Sequence, residues 1–584
     1  MIFSPVFDTS SSIPLSEYPR PQMKRNSYFS LNGKWDYYIS KSKEISFSEN
    51  KAEKILVPYS PESVLSGVIR QLKKDEFLFY RKTFFITDEF FKGRILLNVG
   101  ACDQICSVFV NGIEVGFHCG GYTSFSFDIT KAVKINSENE IIFIVQDDAD
   151  SEIFGRGKQS YKPGGIWYTA TSGLWQSVWL ESVPLEYIKS IKITPDFDSK
   201  KLYVVCNYNS EKTELNVKNA IIRILDGKKI IAEEKFNREI VVDVASCKNW
   251  TLENPELYVV EIFYGEDKIE SYFGLRKFST IQKGKYKYFA LNNEPILHNG
   301  LLDQGYWHEG FYTPPTNKAM YDEIKSVKEM GFNMLRKHIK VEPLLWYYYC
   351  DILGVLVWQD MINGGAKYKQ HRIMLCPFVD LKLNDSNLKS MGRSFESCKQ
   401  FYVESQEIIE NLYNCVSLCL WTPFNEAWGQ FDSLKVWKTL KEIDNTRPFD
   451  HASGWEDMGG GDVCSKHIYF RKIKLKNDKK RVLALTEFGG YSYAMPNHVF
   501  AKKIFGYKMY KTQQDLENAI EKLYEKEIIP MIKQEGLSGI VYTELTDVEE
   551  ELNGLFTYDR VLKVDFYRIK KMNENLYKVF YANL

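Results

Sequence analysis

The chain has 584 residues, of which 44% are hydrophobic and 26% are charged. This length exceeds what one hydrophobic core organises, and the balance of apolar and charged residues excludes an intrinsically disordered protein. Its 76 basic and 76 acidic residues cancel, so no basic excess indicates a nucleic acid or an anionic membrane surface as a partner.

Cysteine usage and the N-terminus predict an intracellular, cytoplasmic protein. The eleven cysteines form no Cys-x-x-Cys pair and no Cys/His spacing for zinc, which favours free thiols in a reducing compartment. The first residues, MIFSPVFDTSSSIPL, lack the basic and apolar regions of a signal peptide. No run of about 18 apolar residues follows, so we expect no membrane span.

The first half of the chain is patterned as short strands. Between residues 1 and 185, runs such as FLFYRKTFFI, RILLNVG and NEIIFIVQD alternate with turn sequences such as VNG and HCGGY. This pattern predicts a β-sandwich of the jelly-roll type for 1–185. The runs KLYVVCNYN, AIIRILDGKKIIAEEKF and LYVVEIFYG continue at a spacing typical of a seven-strand sandwich, which predicts an immunoglobulin-like domain for 186–282.

From residue 283 the pattern changes to alternating strands and helices. Eight strand-like runs lie in 283–584: EPILHNGLLD, FNMLRKH, LGVLVWQD, VSLCLWTPFNE, PFDHASG, SKHIYF, VLALTEFGG and LSGIVYTELTD. Amphipathic stretches such as TNKAMYDEIKSVKEMG and QQDLENAIEKLYEKEIIPMIKQ separate them. Eight such units in about 300 residues predict a (β/α)8 TIM barrel.

Polar and ionisable residues collect at the ends of these predicted strands. Because active sites of such barrels form at the C-terminal ends of the strands, these positions are candidate site residues. They are Asp303, Arg336, His338, Asp360, Asn425, Glu426, His451, His467, Glu487, Glu544 and Asp547. Strand ends also meet water, which explains any single one of them equally well. As a set of costly buried groups they favour function.

Two of these residues have the character of a glycosidase pair. Glu426 ends the fourth run and Glu487 the seventh, on opposite sides of the predicted barrel, so their carboxylates can converge on one sugar. The aromatic residues of WTPFNEAWG give Glu426 an apolar setting, which raises a carboxyl pKa and keeps a proton. Arg336 could hold Glu487 anionic, and Asn425 is placed to bond the sugar 2-hydroxyl.

A series of motifs runs through nearly the whole chain. It comprises LNGKW, VPYSPES, FLFYRKTF, VFVNGIEVGFHCGGYTSFSFDIT, GIWYTATSGLWQSVWLE, NWTLENPELY, FGLRKF, GLLDQGYW, GFNMLRKHIKVEP, LGVLVWQD, WTPFNEAWG, LTEFGG and TELTDVEEELNGLFTYDR. In this order the motifs resemble the family 2 glycoside hydrolases, the β-galactosidase and β-glucuronidase family. The resemblance implies a sugar-binding-like N-terminal sandwich and a retaining enzyme that forms a covalent glycosyl-enzyme. By position it makes Glu426 the acid/base and Glu487 the nucleophile.

The resemblance and the strand-end positions together give the substrate-binding candidates. These are Asn425, Arg336, His338, Asp303, His467, Tyr469, Trp455, Asp360, Glu544 and Asp150, the last in an N-terminal loop that reaches towards the sugar in relatives. Other roles stay open: Asp360 as the anchor of a helix N-terminus, and Asp303 and Asp547 as partners of Arg336 or of a histidine. No metal and no cofactor is implied.

The sugar is less directly indicated than the reaction. Glucuronide-cleaving relatives use an Asn-x-Lys-Gly stretch in the last loop, whereas no lysine follows Asn553 in LNGLFTYDR. We therefore predict a β-galactosidase-like exo-glycosidase acting on a small oligosaccharide or glycoside. A furanosidase (β-galactofuranosidase or α-L-arabinofuranosidase) ranks second, a β-glucuronidase third, and a non-catalytic carbohydrate-binding protein last. Because many members of the family are dimers or tetramers, a homo-oligomer stays open for this chain.

A long loop is expected after the third predicted strand, at residues 362–400. Loops of this length commonly cover functional sites, so we expect it to lie over one end of the barrel and to influence specificity. Its basic residues Lys367, Lys369, His371 and Arg372 are candidates for that role, and a solvated surface is the alternative.

Overall fold

The computed structural model describes residues 13–47, 52–209, 220–368 and 384–584. Of the basic loop cluster, only Lys367 is among them; Lys369, His371 and Arg372 lie outside the described residues.

The first region is a pair of antiparallel sheets. Its strands, β1 to β14, are Tyr28–Ser30, Gly33–Ser40, Glu53–Val57, Phe77–Ile86, Arg94–Val99, Cys102–Asp103, Ile105–Val110, Ile113–Cys119, Phe125–Asp128, Ser137–Gln146, Gln159–Ser160, Tyr168–Thr169, Gly173–Leu174 and Val178–Val183. A six-stranded sheet, β3-β2-β4-β10-β7-β8, and a four-stranded sheet, β1-β14-β5-β9, share one hydrophobic core. Every second residue of β7 is buried in that core, as expected for strands with one face inward.

The second region is a seven-strand sandwich. Its strands, β15 to β21, are Ile188–Asp196, Lys201–Tyr208, Ala220–Asp226, Lys229–Phe236, Glu239–Asp243, Tyr258–Tyr264 and Asp267–Phe273. They form the sheets β15-β16-β19 and β18-β17-β20-β21, whose buried side chains make a separate core. Two sheets of this size are the arrangement that the strand spacing predicts.

The third region contains a nearly closed parallel sheet. Its strands, β22 to β33, are Phe278–Lys283, Tyr286–Leu291, Glu294–Pro295, His298–Asp303, Met334–Lys337, Leu356–Asp360, Leu418–Thr422, Val463–Ile468, Val482–Gly489, Tyr491–Tyr493, Lys508–Tyr510 and Gly539–Thr543. Seven of them are parallel neighbours in the order β28-β27-β26-β25-β33-β30-β29. They correspond to seven of the eight predicted runs. Because the strands are parallel, their C-terminal ends lie at the same edge of the sheet.

The fifth predicted run, PFDHASG, is not a regular strand. The segment lies beside β28 and the turn after it. Two isolated parallel bridges join them, Trp421 to Phe449 and Asn425 to Ser453. Pro448 at its start has no amide hydrogen, and the chain that it accompanies bends after Thr422, so a continuous ladder cannot form. The segment still fills the space between β28 and β29, because Asp450 and Asp462 donate backbone hydrogen bonds to Trp421 and Phe449.

Helices separate the parallel strands. The described α-helices, α1 to α8, are Asn317–Glu329, Leu344–Leu353, Leu388–Met391, Phe395–Leu412, Ser433–Ile443, Gln513–Leu523, Ile529–Glu535 and Phe566–Ala582, with a π-helical turn at Tyr524–Ile528. Both amphipathic stretches singled out above are helical. Thr316 and Thr512 accept hydrogen bonds from the third helical amides of α1 and α6 and so fix where these helices begin.

The described residues allow two further statements, one about the cysteines and one about membrane spans. Ten cysteines within the described residues are free thiols, and nine of them are buried. None of the helices that the structure describes is long and apolar enough to cross a lipid bilayer.

Candidate active site

Glu426 is presented by a strained turn that follows strand β28. Pro423 ends the strand, and the backbone then adopts left-handed conformations at Glu426 and Ala427, with φ values of 52° and 58°. Such conformations are unfavourable for residues other than glycine and are concentrated at functional sites. The turn is held by a hydrogen bond from the Glu426 amide to the carbonyl of Ser453 at 2.9 Å. It leaves the Glu426 carboxyl 8% exposed.

Glu487 lies in strand β30 beside a bulge. The register with β29 pairs Lys466 with Leu485 and then His467 with Glu487, so Thr486 is the extra residue. A bulge changes the direction of the next side chain, and here it places Glu487 next to its neighbour His467. Glu487 is 5% exposed.

The two glutamates converge on His467. The Nδ1 atom of His467 lies 2.7 Å from Oε1 of Glu426 and 3.4 Å from Oε2 of Glu487. One oxygen of each carboxyl and this nitrogen all lie within 4.8 Å of one another. The structure therefore brings together the two carboxyl groups that the sequence singled out.

Arg336 is the central cation of the site. It is fully buried, and its guanidinium donates to both oxygens of Asp360 at 3.1 and 3.0 Å, to Glu487 at 3.1 Å and to the side-chain oxygen of Asn425 at 2.8 Å. The amide nitrogen of Asn425 has no hydrogen-bond partner within the described part of the chain. Arg336 thus occupies the side-chain oxygen of Asn425 and leaves its NH2 group for another partner.

The two carboxyl groups differ in their charge partners. Burial raises the pKa of Glu426 to about 7, against the opposing influence of Lys158 and Arg336. Burial also raises the pKa of Glu487, but Glu487 has the Arg336 ion pair and accepts a hydrogen bond from Tyr469 at 2.5 Å. In the described residues no lysine or arginine nitrogen lies within 4 Å of Glu426. Glu426 is therefore the better proton carrier and Glu487 the better anion.

The hydrogen bonds around His467 hold the Glu426 carboxyl in place. Burial lowers the pKa of His467 to about 4, so the ring is neutral. Ser453 donates to Thr486 at 2.9 Å, and its oxygen lies 3.2 Å from Nε2 of His467. Nη1 of Arg336, which can only donate, lies 3.5 Å from the same Nε2 atom, so we assign the hydrogen of the ring to Nδ1, from where it is donated to Oε1 of Glu426 at 2.7 Å.

Tyr469 and Trp455 adjoin Glu487 and His467, and Glu544 is buried directly after strand β33. Tyr469 reaches Glu487, and the ring of the half-buried Trp455 lies 6.3 Å from that of His467. Glu544 is fully buried and accepts from Gln304 at 2.9 Å, while its other oxygen has no partner among the described residues. Burial raises its pKa well above the ordinary value.

Four predicted substrate contacts have other surroundings. Asp360 is occupied by Arg336 and by Nδ1 of His338 at 2.9 Å, so it orients these side chains from behind. His338 is buried, and burial lowers its pKa to about 3. Asp303 pairs with Lys337 at 2.6 Å and holds neither Arg336 nor a histidine. Asp150 is exposed and pairs with Arg156 at 3.2 Å.

Two strand-end residues are likewise directed elsewhere. Asp547 pairs with Lys563 at 2.7 Å rather than with Arg336 or a histidine. His451 accepts from the amide of Met458 at 3.2 Å and lies 3.6 Å from Asp457.

The N-terminal sandwich contributes residues that the sequence did not single out. The amides of Arg156 and Gly157 donate to the carbonyl of Asn363 at 2.8 and 2.9 Å, which binds this loop to the region of the parallel sheet. The same segment places Lys158 and Trp167 against Trp428. These residues follow Asp150 in the loop that was expected to reach the sugar.

Two tyrosines were also missed. Tyr168 donates to Glu551 at 2.6 Å, and Tyr507 stacks on Tyr469 with ring centres 4.0 Å apart. The aromatic density of the stretch around 161–168 was the available signal for Tyr168.

Glu426, His467 and Glu487 each offer an atom that can bind a metal ion, and these atoms lie close together. The guanidinium of Arg336, however, already lies 3.1 Å from Glu487 and 3.5 Å from Nε2 of His467. A second cation in this space would be repelled by Arg336. The arrangement is better suited to proton transfer and nucleophilic attack than to metal binding.

Known proteins with similar sequences are glycosidases. Residues 69–184 match the model described as glycosyl hydrolases family 2, sugar binding domain, and residues 186–276 match the model described as glycosyl hydrolases family 2. A putative beta-glucuronidase of Formosa agariphila is 24% identical over 71% of this chain and 48% of its own length. A beta-galactosidase of Thermoanaerobacter pseudethanolicus is 24% identical over 79% of this chain and 61% of its own length. The chain thus spans about half to three fifths of these relatives.

Solved structures show the same fold over almost the whole chain. A family 2 beta-galacturonidase from Eisenbergiella tayi, bound to glycerol, superposes with a TM-score of 0.71 at 18% identity. The match covers 96% of this chain and 98% of that protein.

Proposed function

Because the chain belongs to glycosyl hydrolase family 2, we propose that it is a retaining exo-glycoside hydrolase in which Glu426 is the acid/base and Glu487 the nucleophile. The observation that carries this proposal is the separation of the carboxyl groups. One oxygen of each lies within 4.8 Å of the other. Retaining glycosidases have carboxyl groups about 5–5.5 Å apart, whereas inverting enzymes need about 6.5–9.5 Å to admit water between them.

The first step would form the covalent intermediate. An oxygen of Glu487 attacks the anomeric carbon while the bond from that carbon to the glycosidic oxygen breaks. Glu426 gives its proton to the departing oxygen, so the aglycone leaves as a neutral alcohol and Glu426 becomes a carboxylate. The free NH2 group of Asn425 can donate to the sugar 2-hydroxyl as charge develops on the ring.

The second step would release the sugar. The Glu426 carboxylate takes a proton from water, whose oxygen attacks the anomeric carbon as the bond to Glu487 breaks. Two inversions give net retention, and Glu426 regains its proton for the next cycle.

The eight-unit barrel is part of the same proposal. We infer a (β/α)8 barrel in which the irregular segment at 448–454 takes the place of the fifth strand. Support comes from the two parallel bridges, one to Trp421 in β28 and one to Asn425 just after it, and from the closeness of the Glu426 and Glu487 side chains. It would put Glu426 and Glu487 at the catalytic end of the fourth and seventh units.

For the sugar we propose a β-galactosyl group. Its support is the curated beta-galactosidase relative and the lack of a lysine after Asn553. The nearest lysine in that loop, Lys563, is bound to Asp547 and to the carbonyl of Leu552, so it is occupied. A furanosidase keeps its place as an alternative for the test below.

A uronic acid is the second candidate sugar. Relatives named beta-glucuronidase and beta-galacturonidase favour it, and Lys158 is a cation in the pocket that could face a carboxylate. This candidate differs from the first by one charged group on the substrate, so direct comparison of substrates separates them.

A panel of nitrophenyl glycosides tests the proposal. It should contain the β-galactopyranoside, β-glucuronide, β-galacturonide, β-galactofuranoside, α-L-arabinofuranoside and β-mannoside. Hydrolysis of one member by the wild type, lost by several orders of magnitude in Glu487→Gln, would establish the reaction and the sugar. A folded protein that binds sugar equally well with and without Glu487→Gln, and hydrolyses nothing, would support the non-catalytic alternative instead.

A further inference from the structure

Lys158 is a buried cation that the N-terminal sandwich inserts into the candidate active site. Its position is fixed by the backbone on both sides. The preceding amides of Arg156 and Gly157 bind the carbonyl of Asn363, and the carbonyl of Lys158 itself accepts from the amide of Tyr168 at 3.0 Å. Lys158 is 7% exposed.

Glycine before Lys158 allows this approach. Gly157 has a φ of 61°, and a Cβ atom there would lie 2.8 Å from the carbonyl oxygen of Ile339. A side chain at this position would therefore push the loop away from the barrel region. The sequence Gly-Lys places a long cationic side chain immediately after the point of closest contact.

The ammonium group of Lys158 is unpaired in the described residues. Its Nζ atom lies 5.6 Å from the ring centre of Tyr168 and 5.8 Å from that of Trp428, and no hydrogen bond or carboxylate within 4 Å satisfies it there. Aromatic faces attract a cation but replace water incompletely. A buried lysine is costly unless an anion faces it at some stage of function.

Glu426 is the group that becomes an anion during the proposed reaction. It precedes Trp428 by two residues, and Lys158 is the strongest favourable charge acting on it. Arg336 is the other cation of the pocket, but Asp360 and Glu487 already bind it. Of the two cations that act on Glu426, Lys158 is therefore the one without an ion pair in the described residues, although its charge also acts on Glu544.

We propose that Lys158 is a positioning residue that faces the Glu426 carboxylate whenever Glu426 has given up its proton. This inference rests on the proposed function. The neutral acid needs no cation, so Lys158 matters chiefly after the first step, when a buried carboxylate must be held ready to accept a proton from water. The N-terminal sandwich would thereby take part in the chemistry of the barrel region.

Other charged and titratable groups act on Glu426 from the surrounding elements. They are His467 on β29, Glu487 on β30, Arg336 on β26, Glu551 in the last loop, Tyr469 after β29 and Tyr507 before β32. All of them remain in a variant of Lys158, so a change seen in that variant reports the lysine alone.

The pH dependence of kcat/KM tests the proposal. Glu426 must be protonated for the first step, so its ionisation sets the basic limb. Lys158→Met removes a cation that favours the ionised form, and we expect the basic limb to move up by roughly one pH unit. Lys158→Arg keeps the charge, so its basic limb should lie within about 0.3 pH unit of that of the wild type. A basic limb that stays in place in Lys158→Met would overturn the proposal.

A second kinetic comparison separates Glu426 from a substrate carboxylate. If Lys158 instead read a carboxylate on the sugar, Lys158→Met would lose activity on uronides alone, with an unmoved basic limb. Under the proposal the limb moves on every glycoside that the wild type hydrolyses.

A substrate-free measurement keeps the inference testable whatever the sugar is. The infrared band of the protonated carboxyl, assigned by its absence in Glu426→Gln, follows the ionisation of Glu426 directly. It should shift to higher pH in Lys158→Met and not in Lys158→Arg, and equal titration in all three proteins would overturn the proposal. Wild-type protein that hydrolyses no glycoside contradicts the proposed function, whereas the band still decides the role of Lys158. Circular dichroism would verify that each variant is folded, with Lys158→Gln as the substitute if Lys158→Met is not.

Discussion

The Nη1 atom of Arg336 lies 3.1 Å from Oε1 of Glu487, and both side chains are almost completely buried. A buried ion pair of this kind favours the ionised form of the carboxyl. Because the same guanidinium also binds Asp360 through two oxygens, it cannot rotate away from Glu487 without breaking a second pair. The arrangement fixes one glutamate as an anion and leaves the other, Glu426, without a cation in contact.

Replacing Arg336 should damage both activity and stability. Arg336→Met leaves the buried carboxylates of Asp360 and Glu487 without their cation, so we expect kcat/KM to fall by about 10²–10³-fold and the acidic limb of its pH profile to move up. Removing one partner of a buried pair costs about 3–5 kcal/mol of the free energy of unfolding. Kinetics and urea unfolding measure the two effects. Arg336→Lys is the control, since it keeps the charge but not the paired geometry.

Loss of the acid/base should be repaired by an added anion. For Glu426→Ala, we expect kcat/KM to fall by about 10²–10⁴-fold on substrates with poor leaving groups. On activated nitrophenyl substrates, formation of the glycosyl-enzyme should slow much less, because their leaving groups need little protonation. Azide needs no general base and should attack the glycosyl-enzyme directly. The product would be a glycosyl azide of retained configuration, identified by NMR. An azide of inverted configuration would contradict the assignment of Glu487 as nucleophile.

The proposed acid should give a basic limb near neutral pH. The pKa of Glu426 lies at about 7, so the protonated form is present below that pH and is lost above it. We therefore expect kcat/KM to fall tenfold per pH unit above about 7 and to be limited at low pH by protonation of Glu487. In Glu426→Gln the basic limb should disappear, because the amide does not titrate. A basic limb that persists unchanged would mean that another group is the acid.

The sequence was sufficient to predict which two glutamates converge, but not how the backbone directs them. The glutamates could be found because each follows an apolar strand run, a position that is functional in barrels. The devices that aim them, the left-handed turn at Glu426 and the bulge at Thr486, depend on the neighbouring strands and leave no period in the sequence. The two sandwich regions were predictable because their strands alternate regularly between buried and exposed residues, a pattern that is visible in the sequence. The contribution of Lys158 depends on contact between domains far apart in sequence.

The strand register explains why Asp303 pairs with Lys337 rather than with Arg336. In register, Leu302 pairs with Arg336 and Asp303 pairs with Lys337. Side chains alternate between the two faces of a strand, so Asp303 shares the face of Lys337 and not that of Arg336. Position at a strand end predicts how far along the parallel sheet a residue lies but not the face of the sheet to which its side chain belongs.

The hydroxyl group of Tyr469 should matter more than that of Tyr507, although the two rings are stacked. Tyr469 donates to Oε2 of Glu487 at 2.5 Å, a bond to the charged form of the nucleophile. Tyr469→Phe should raise the pKa of Glu487, move the acidic limb of kcat/KM to higher pH and lower kcat by about 10- to 100-fold. Tyr507→Phe keeps the stacked ring and is the matched control. Equal effects of the two variants would show that ring packing, not the hydroxyl, is what matters.

Asp303 should behave as a structural residue rather than a substrate contact. It binds Lys337 at 2.6 Å and the amide of Gly305 at 2.8 Å, and Lys337 also binds Glu342 at 2.8 Å. Asp303→Asn removes a buried charge from this cluster, so we expect a loss of about 3 kcal/mol in the free energy of unfolding. KM and the pH profile should stay close to the wild-type values wherever the variant is folded. Asn425→Ala is the contrasting variant. Its NH2 group has no partner in the described residues and is proposed to bond the sugar, so its loss should lower kcat/KM with less change in stability. A large rise in KM for Asp303→Asn at unchanged stability would return Asp303 to the substrate-binding set.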